Sequence, residues 1–491
     1  MSKRWKNPPI CGIMQLTNNK THRRIYSMSI VAENLENENT LLKRIRAFFK
    51  ENQIGRFLKE SNAYKNSGIP VVHVLTYLVQ LVFTKKSMYM NILNGTNGAG
   101  FGKDVVYRLL NATFIKWSTF LLSLAASVIG TITPLTGMDR LNALIVDDSL
   151  YERARSKKVE LLARVHDHAE KGKQKFKRGF RLLTLGWSDG VTFIPLLFRH
   201  LSSKDPKQRY AEARTDIDKR SAGYKARQEA VSKAPEVLFE MLRQAKRAGI
   251  AAKHVLFDSW FSYPSTMIAI KKIGFFVVGR LRDTKTIKYL IGGEKKTLKQ
   301  IYNTHKKRRG RSRYLLSVEV LLYNDEGKTL PARIVFVRDR KNRKKWIAFC
   351  TTDMSLTEED VIQLYGKRWD IEVFFKVCKS YLNLAKEFHG LSYDSITAHT
   401  AVVMTRYIML AIDKRKNEDP RSLGELFFLC YDEVADHSFA DVVAVILRCF
   451  HDVLQDCLFL EDSEMRMLID SFVDRLSACF SGFPAQSIAA S

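Results

Sequence analysis

Three acidic positions stand where they could do chemistry together. Asp147, Asp148 and Ser149 follow directly on the apolar run Leu144-Ile145-Val146, and Asp258 follows a second run, Val255-Leu256-Phe257. If the two runs are neighbouring strands, the aspartates at their ends lie side by side. The third acid, Glu372, falls in a stretch with helical spacing. At about 100° per residue, Tyr365, Arg368, Glu372 and Lys379 project at roughly 0°, 300°, 340° and 320°, a face about 60° wide. An acid, two bases and a phenol on one stripe suit the holding of metal ions and phosphates better than they suit a core. Two carboxylates from a sheet and a third from a helix packed on it make a site for a divalent metal such as Mg²⁺, a hard cation that takes oxygen ligands and retains water. Each part has an ordinary alternative. A strand-end aspartate is usually a turn or cap residue, and an Arg–Glu pair at i, i+4 is usually a surface ion pair. The joint pattern is far more specific than its parts.

Adjacent strand side chains face opposite sides, so only one of the paired aspartates joins the site easily. Asp147, directly after the apolar run and two residues before Ser149, is the expected ligand, and Asp148 is the alternative. His166 and His168 flank Asp167 without a further convergent carboxylate or cysteine, so a solvated face is expected there in place of a zinc site.

The elements that must position these residues can be read coarsely. Residues 1–135 read as a helical, DNA-binding N-terminal region, with a Gly-rich turn at 94–100 before a basic helix that could serve helix-turn-helix reading or simply join two packed helices. From 136 to 282 strands alternate with helices: the run to Val146, a hairpin around Ser188-Asp189-Gly190, a helix near 235–248, and the run to Phe257. Residues 283–355 form a β-rich block with 19 Lys and Arg against 7 Asp and Glu. The strongest helix, about 357–382, carries Glu372, and 385–491 reads as an acidic helical tail suited to dimerisation. The expected fold class is α/β, a mixed sheet with flanking helices and a β-rich insertion.

Composition narrows the partners. The 491 residues include 80 Lys and Arg against 51 Asp and Glu, a formal charge of +29. Residues 381–491 hold 9 basic and 17 acidic residues, so the other 380 carry 71 against 34. A body that basic is expected to meet a polyanion, because each cation on a phosphate releases a counterion. With 46% hydrophobic residues the chain is neither disordered nor fibrous. The start, Met1-Ser2-Lys3-Arg4-Trp5, does not suggest a secretory signal, and the apolar stretches read as too short or interrupted to span a bilayer. Seven scattered cysteines without a CxxC pair fit a reducing compartment.

Taken together, these residues resemble the DDE transposases of the insertion-sequence-4 type, whose signature is Tyr, two residues, Arg, three residues, Glu, six residues, Lys. Tyr365, Arg368, Glu372 and Lys379 match all four positions and all three gaps. Asp147-Asp148-Ser149, Asp258 and the β-rich block before the glutamate also match, so the resemblance spans about Leu141 to Leu384. It implies a ribonuclease-H-like catalytic core in which Asp147, Asp258 and Glu372 hold two Mg²⁺ ions, with Mn²⁺ able to substitute. The activity implied is cut-and-paste transposition, with cleavage at terminal inverted repeats and strand transfer to target DNA. It implies DNA contacts from Tyr365, Arg368, Lys376 and Lys379, and a base-stacking role for Trp346. Double-stranded DNA as partner, a homodimer in the paired-end complex, and a cytoplasmic, nucleoid-associated setting in a prokaryotic host follow from the same resemblance. A metal-dependent nuclease without integration and a decayed end-binding protein are the alternatives.

Overall fold

The apolar runs become the central strands of one sheet. In the computed structural model, residues 41–416 are described apart from 85–86, 94–99, 137–139, 168–175, 309–311, 340–341 and 343–344. The described residues fall within one compact unit, Leu41–Asp432. Strands β1 (Ala143–Glu152), β2 (Ala163–His166), β3 (Phe176–Ser188) and β4 (Phe193–Leu201) come first, then β5 (His254–Phe257) and β6 (Phe276–Arg280). β1 is antiparallel to β3, and β3 to β4, while β5 runs parallel to β1 and β6 parallel to β5. The lateral order is therefore β4-β3-β1-β5-β6: an antiparallel meander of three strands followed by two strands parallel to the first. That is the ribonuclease-H-like arrangement, a mixed α/β fold.

Its parallel centre reads as continuous apolar sequence because both faces are covered. Ala143–Val146 and His254–Phe257 are buried at every position, and so are all nine residues of β4. β4 accommodates Pro195 because it pairs with β3 alone, as an edge strand, and the β3–β4 register shifts beside it, between Leu185 and Gly186. Gly186 is needed there, since a Cβ would stand 2.1 Å from the Phe193 ring.

The remaining strands, β7 (Tyr289–Ile291), β8 (Glu294–Lys296), β9 (Leu316–Tyr323), β10 (Thr329–Arg338) and β11 (Trp346–Thr351), carry the same sheet onward. β11 pairs antiparallel with β6, as Phe349 opposite Arg280 and Thr351 opposite Val278. The order then runs β11-β10-β9-β7-β8.

Helices cover the sheet. In chain order they are α1 (41–51), α2 (Ile54–Glu60), α3 (Val71–Leu81), α4 (Met88–Leu93), α5 (Lys103–Leu110), α6 (Trp117–Ile132), α7 (Ala222–Ala230), α8 (Ala234–Arg247), α9 (Pro264–Ile273), α10 (Leu298–Thr304), α11 (Glu358–Gly366), α12 (Trp369–Ser380) and α13 (Tyr393–Lys416). α13 is buried almost throughout. Its Arg406 is fully enclosed and paired with Glu387, and also donates to Leu78 O of α3, so it ties the N-terminal helices to the core. Among the described residues, two helical stretches are apolar enough by length and composition to cross a membrane, Trp117–Leu135 and Tyr393–Lys416, which departs from the sequence expectation. The apolar character of α13 is spent inside the fold.

Two local differences from the sequence expectation bear on the site. β1 does not end at Val146. It continues through Asp147–Glu152 because β3 pairs with it along its whole length, while the parallel neighbour β5 stops pairing at Ile145. The single long helix is two helices. The chain breaks at Gly366–Arg368, where Lys367 N and Arg368 N donate three residues back to Leu364 O and Tyr365 O, the tighter turn that commonly ends an α-helix. The Gly-rich turn at 94–99 and most of the acidic tail lie outside the described residues.

Candidate active site

Strand register brings the two aspartates level. Ile145 pairs with Leu256, so two residues further on Asp147 and Asp258 come to the same level of the sheet, near enough for the Asp258 charge to act on the Asp147 carboxyl. Asp258 has left the strand, and its Oδ1 accepts from Trp260 N at 2.8 Å, which fixes the carboxylate at the turn. Asp147 Oδ1 accepts from the backbone N of Asp148 at 2.8 Å.

Alternation along β1 then separates the two candidates for the first acid. Asp147 and Ser149 face α12. Asp147 Oδ2 accepts from Arg368 Nη1 at 3.0 Å, and Ser149 Oγ accepts from Lys379 Nζ at 2.6 Å. Asp148 faces the other side and pairs with Arg181 Nε at 2.6 Å, while the Arg181 guanidinium lies 4.9 Å from the centre of the Trp260 ring.

The third acid reaches the same place from the helix. Arg368, at the start of α12, donates to Glu372 one turn on as well as to Asp147, so one guanidinium spans both carboxylates. Among the described residues its buried Nε has no hydrogen-bond partner. Tyr365 stays close despite the helix break: the Arg368 guanidinium carbon lies 5.9 Å from its ring centre, and Phe349 of β11 packs against it at 4.4 Å. Lys376 is exposed on α12.

Burial controls the electrostatics. Asp147, with its side chain 18% exposed, has its carboxyl pushed up to about 7 by desolvation. Arg368 pulls it down, while Asp258 and Asp148 push it further up. Desolvation raises the Tyr365 phenol and lowers the Lys379 ammonium, the latter opposed by Asp167 and Glu152. Acids crowded so that one resists ionisation leave a place for positive charge. Arg368 fills it. Among the described residues no three His, Cys, Asp or Glu side chains converge tightly enough to hold a metal ion as they stand. The donors nevertheless fit a hard cation: three carboxylates, a hydroxyl, and no sulfur or imidazole. His166 likewise joins no such group, and His168 lies outside the described residues.

Trp346 is placed elsewhere. It has the opposite parity on β11 from Phe349, so it faces away from Tyr365, stacked on Tyr302 (5.2 Å between centres, 26° between planes) with Phe336 edge-on at 5.0 Å. Sequence reasoning passed over Arg181. Its signal is the pairing of Leu150 with Arg181, which puts Arg181 on the Asp148 face, and that pairing cannot be read without the register.

The fold and the site therefore define a ribonuclease-H-like core with one acid on a central strand, one at the turn just past the end of its neighbour and one on a helix packed over them. Residues 73–316 match the family model described as "DDE superfamily endonuclease". The matched segment contains Asp147, Asp148 and Asp258 and ends before the two helices that carry Tyr365, Arg368, Glu372 and Lys379. No curated protein matches the chain. Among solved structures, it is similar to the "Drosophila P element transposase strand transfer complex" at 12% identity and a TM-score of 0.23, covering 54% of this chain and 55% of that one. The chain thus spans about half the length of that relative.

Proposed function

We propose that the protein is a DNA transposase of the cut-and-paste kind that acts on the terminal inverted repeats of an insertion sequence. The observation that carries this reading is the bridging of Asp147 and Glu372 by Arg368 at the level of Asp258, with Tyr365 and Lys379 around them. Asp147, Asp258 and Glu372 would hold Mg²⁺, with Mn²⁺ as a substitute. Bound there, two such ions would activate water, and then a 3′-hydroxyl, for in-line attack on a phosphodiester. The chain's own part is positioning. Lys379, held on Ser149, presents its ammonium at the mouth of the site for a phosphate oxygen. Arg368 offers a planar fork that fits phosphate as well as carboxylate, and Tyr365 supplies a phenolic donor beside it. Lys376 adds exposed charge on the same helix. A base-stacking role for Trp346 belongs to this reading only if DNA also reaches the far face of β11.

Glu372→Gln tests the assignment. It should retain binding to transposon ends and lose both cleavage and strand transfer; full cleavage by this variant in Mg²⁺ would overturn the site. The match of residues 73–316 to an endonuclease family favours one second reading, a nuclease without integration. Pre-cut ends separate the two, because a plain nuclease yields no joined product. A homodimer that pairs two ends follows from the transposase reading, and the acidic tail is the candidate dimer surface. Deleting the chain after Lys416, which leaves the buried helix α13 in place, should abolish paired-end complexes.

A further inference from the structure

Beside the acids, a cleft of about 820 Å³ opens along the C-terminal half of β1. Ser149 and Lys379, which meet beside Asp147, are among its lining residues, so it adjoins the proposed site, and its walls include residues of β2, β3 and the turn that follows α12. We infer that this cleft takes the sugar-phosphate backbone of one unpaired DNA strand leading away from the bond that is cut. The inference rests on the proposed function, since it takes DNA as the substrate.

Charge is the first reason. Arg155, Lys177, Arg181, Lys379 and Lys386 line the cleft against the acids Asp148, Glu152 and Asp167. The acids orient cations more than they cancel them: Asp167 holds Lys177 at 3.0 Å and Asp148 holds Arg181 at 2.6 Å. Arg155 and Lys386 stand exposed on the outer walls. Size is the second reason. A space of this volume encloses a drug-sized molecule, roughly two nucleotides of a single strand. A duplex, whose major groove alone is about 12 Å wide, does not fit.

Rigidity is the third reason. The outer wall is the segment Leu384–Lys386, where Asn383 and Ala385 have φ of 58° and 66°, in the left-handed region that an alanine seldom enters without being held there. The buried guanidinium of Arg153 helps to hold it, donating to Phe388 O at 2.8 Å and Gly390 O at 3.1 Å. An aromatic surface is also present. Arg181 lies over the indole of Trp260, which is 42% exposed, and a basic groove beside an aromatic face is the usual composition of a single-strand path.

The test uses the full chain and two fluorescent 20-base-pair duplexes, one blunt and one with a (dT)4 extension, titrated without divalent metal at several KCl concentrations. The wild-type protein should bind the tailed duplex about tenfold more tightly. Arg155→Glu with Lys386→Glu should remove that preference, leave blunt-end affinity unchanged and lower the salt slope for the tailed probe by about 1.4, two phosphates at about 0.7 each. The milder pair Arg155→Gln with Lys386→Gln should lose part of the preference in the same direction, which guards against misfolding of the charge-reversed protein. Equal wild-type affinity for both duplexes, or equal loss on both in the variants, would overturn the cleft assignment alone. Binding of neither duplex by the wild-type chain would instead count against the transposase reading itself.

Discussion

Arg368 Nη1 stands 3.0 Å from Asp147 Oδ2 while the same guanidinium reaches Glu372, so one cation holds together acids from a strand and a helix more than two hundred residues apart in sequence. It occupies the position between the carboxylates where a divalent ion would gain most. Removing a unit positive charge a few ångströms from a cation site should strengthen cation binding on the order of tenfold once solvent screening is allowed for. Arg368→Gln is therefore expected to bind Mn²⁺ about tenfold more tightly in the absence of DNA, read by the loss of free-ion EPR signal, and to bind DNA ends more weakly. Unchanged Mn²⁺ affinity would mean that Arg368 does not rest on the acids in solution.

The raised carboxyl of Asp147 fixes a pH window for stability. Its folded pKa of about 7 lies above the unfolded value of about 3.9, so the folded chain binds the extra proton between these limits. Stability then falls as pH rises through that range, and the whole penalty is present above pH 7. Asp147→Asn cannot ionise. In EDTA it should be more stable than wild type at pH 8, on the order of 4 kcal/mol, with the gain shrinking steadily toward pH 4. Urea unfolding at pH 5 and pH 8 measures it; a gain that does not grow with pH would refute this account.

Asp148 separates from Asp147 by the face it occupies. Paired with Arg181 and turned from Glu372, it should matter to DNA binding more than to metal binding. We expect Asp148→Asn to keep Mn²⁺ affinity within about twofold and lose roughly tenfold in cleavage, while Asp147→Asn weakens Mn²⁺ binding on the order of tenfold or more and abolishes cleavage, as expected of a metal ligand. Reversed outcomes would make Asp148 the ligand.

How much of this was legible depended on the range of the interaction. Leu144–Val146 and Val255–Phe257 announce buried strands because continuous apolar runs are needed where both sheet faces are covered, and Glu372 announces itself through spacing on a helix. The length of β1 does not, because the polar residues Asp147–Ser149 remain in the strand through pairing with β3, a contact more than thirty residues distant. The break at Gly366–Arg368 was hidden for a different reason: the 100° periodicity of Tyr365, Arg368 and Glu372 survives a short, tight turn nearly intact. The choice between Asp147 and Asp148 needed strand parity relative to α12, and the outward face of Trp346 needed parity on β11. Each follows from a strand register, that of β1 and that of β11, which local sequence does not encode.

The buried ion cluster that braces this frame gives the last expectation. Arg227 is 2% exposed and donates to Glu160 at 2.5 and 2.7 Å and to Asp394 at 2.6 Å, which joins α7, the loop before β2 and the start of α13. Burial alone would raise Glu160, but hydrogen bonds from Arg227, Tyr393 N and Arg214 N outweigh it and hold its carboxyl below the usual value. Removing the cation strands two buried carboxylates, a loss of about 3–5 kcal/mol in comparable cases. Arg227→Met should therefore lower stability by about that amount near pH 7. The loss should narrow on acidification, because protonation relieves the stranded acids in the variant while the wild-type Glu160, held below its usual value, stays ionised and paired at pH 5. Urea titrations of both proteins at pH 7 and pH 5 would show the gap closing. A gap that stays constant would mean that Arg227 contributes by packing and not by charge.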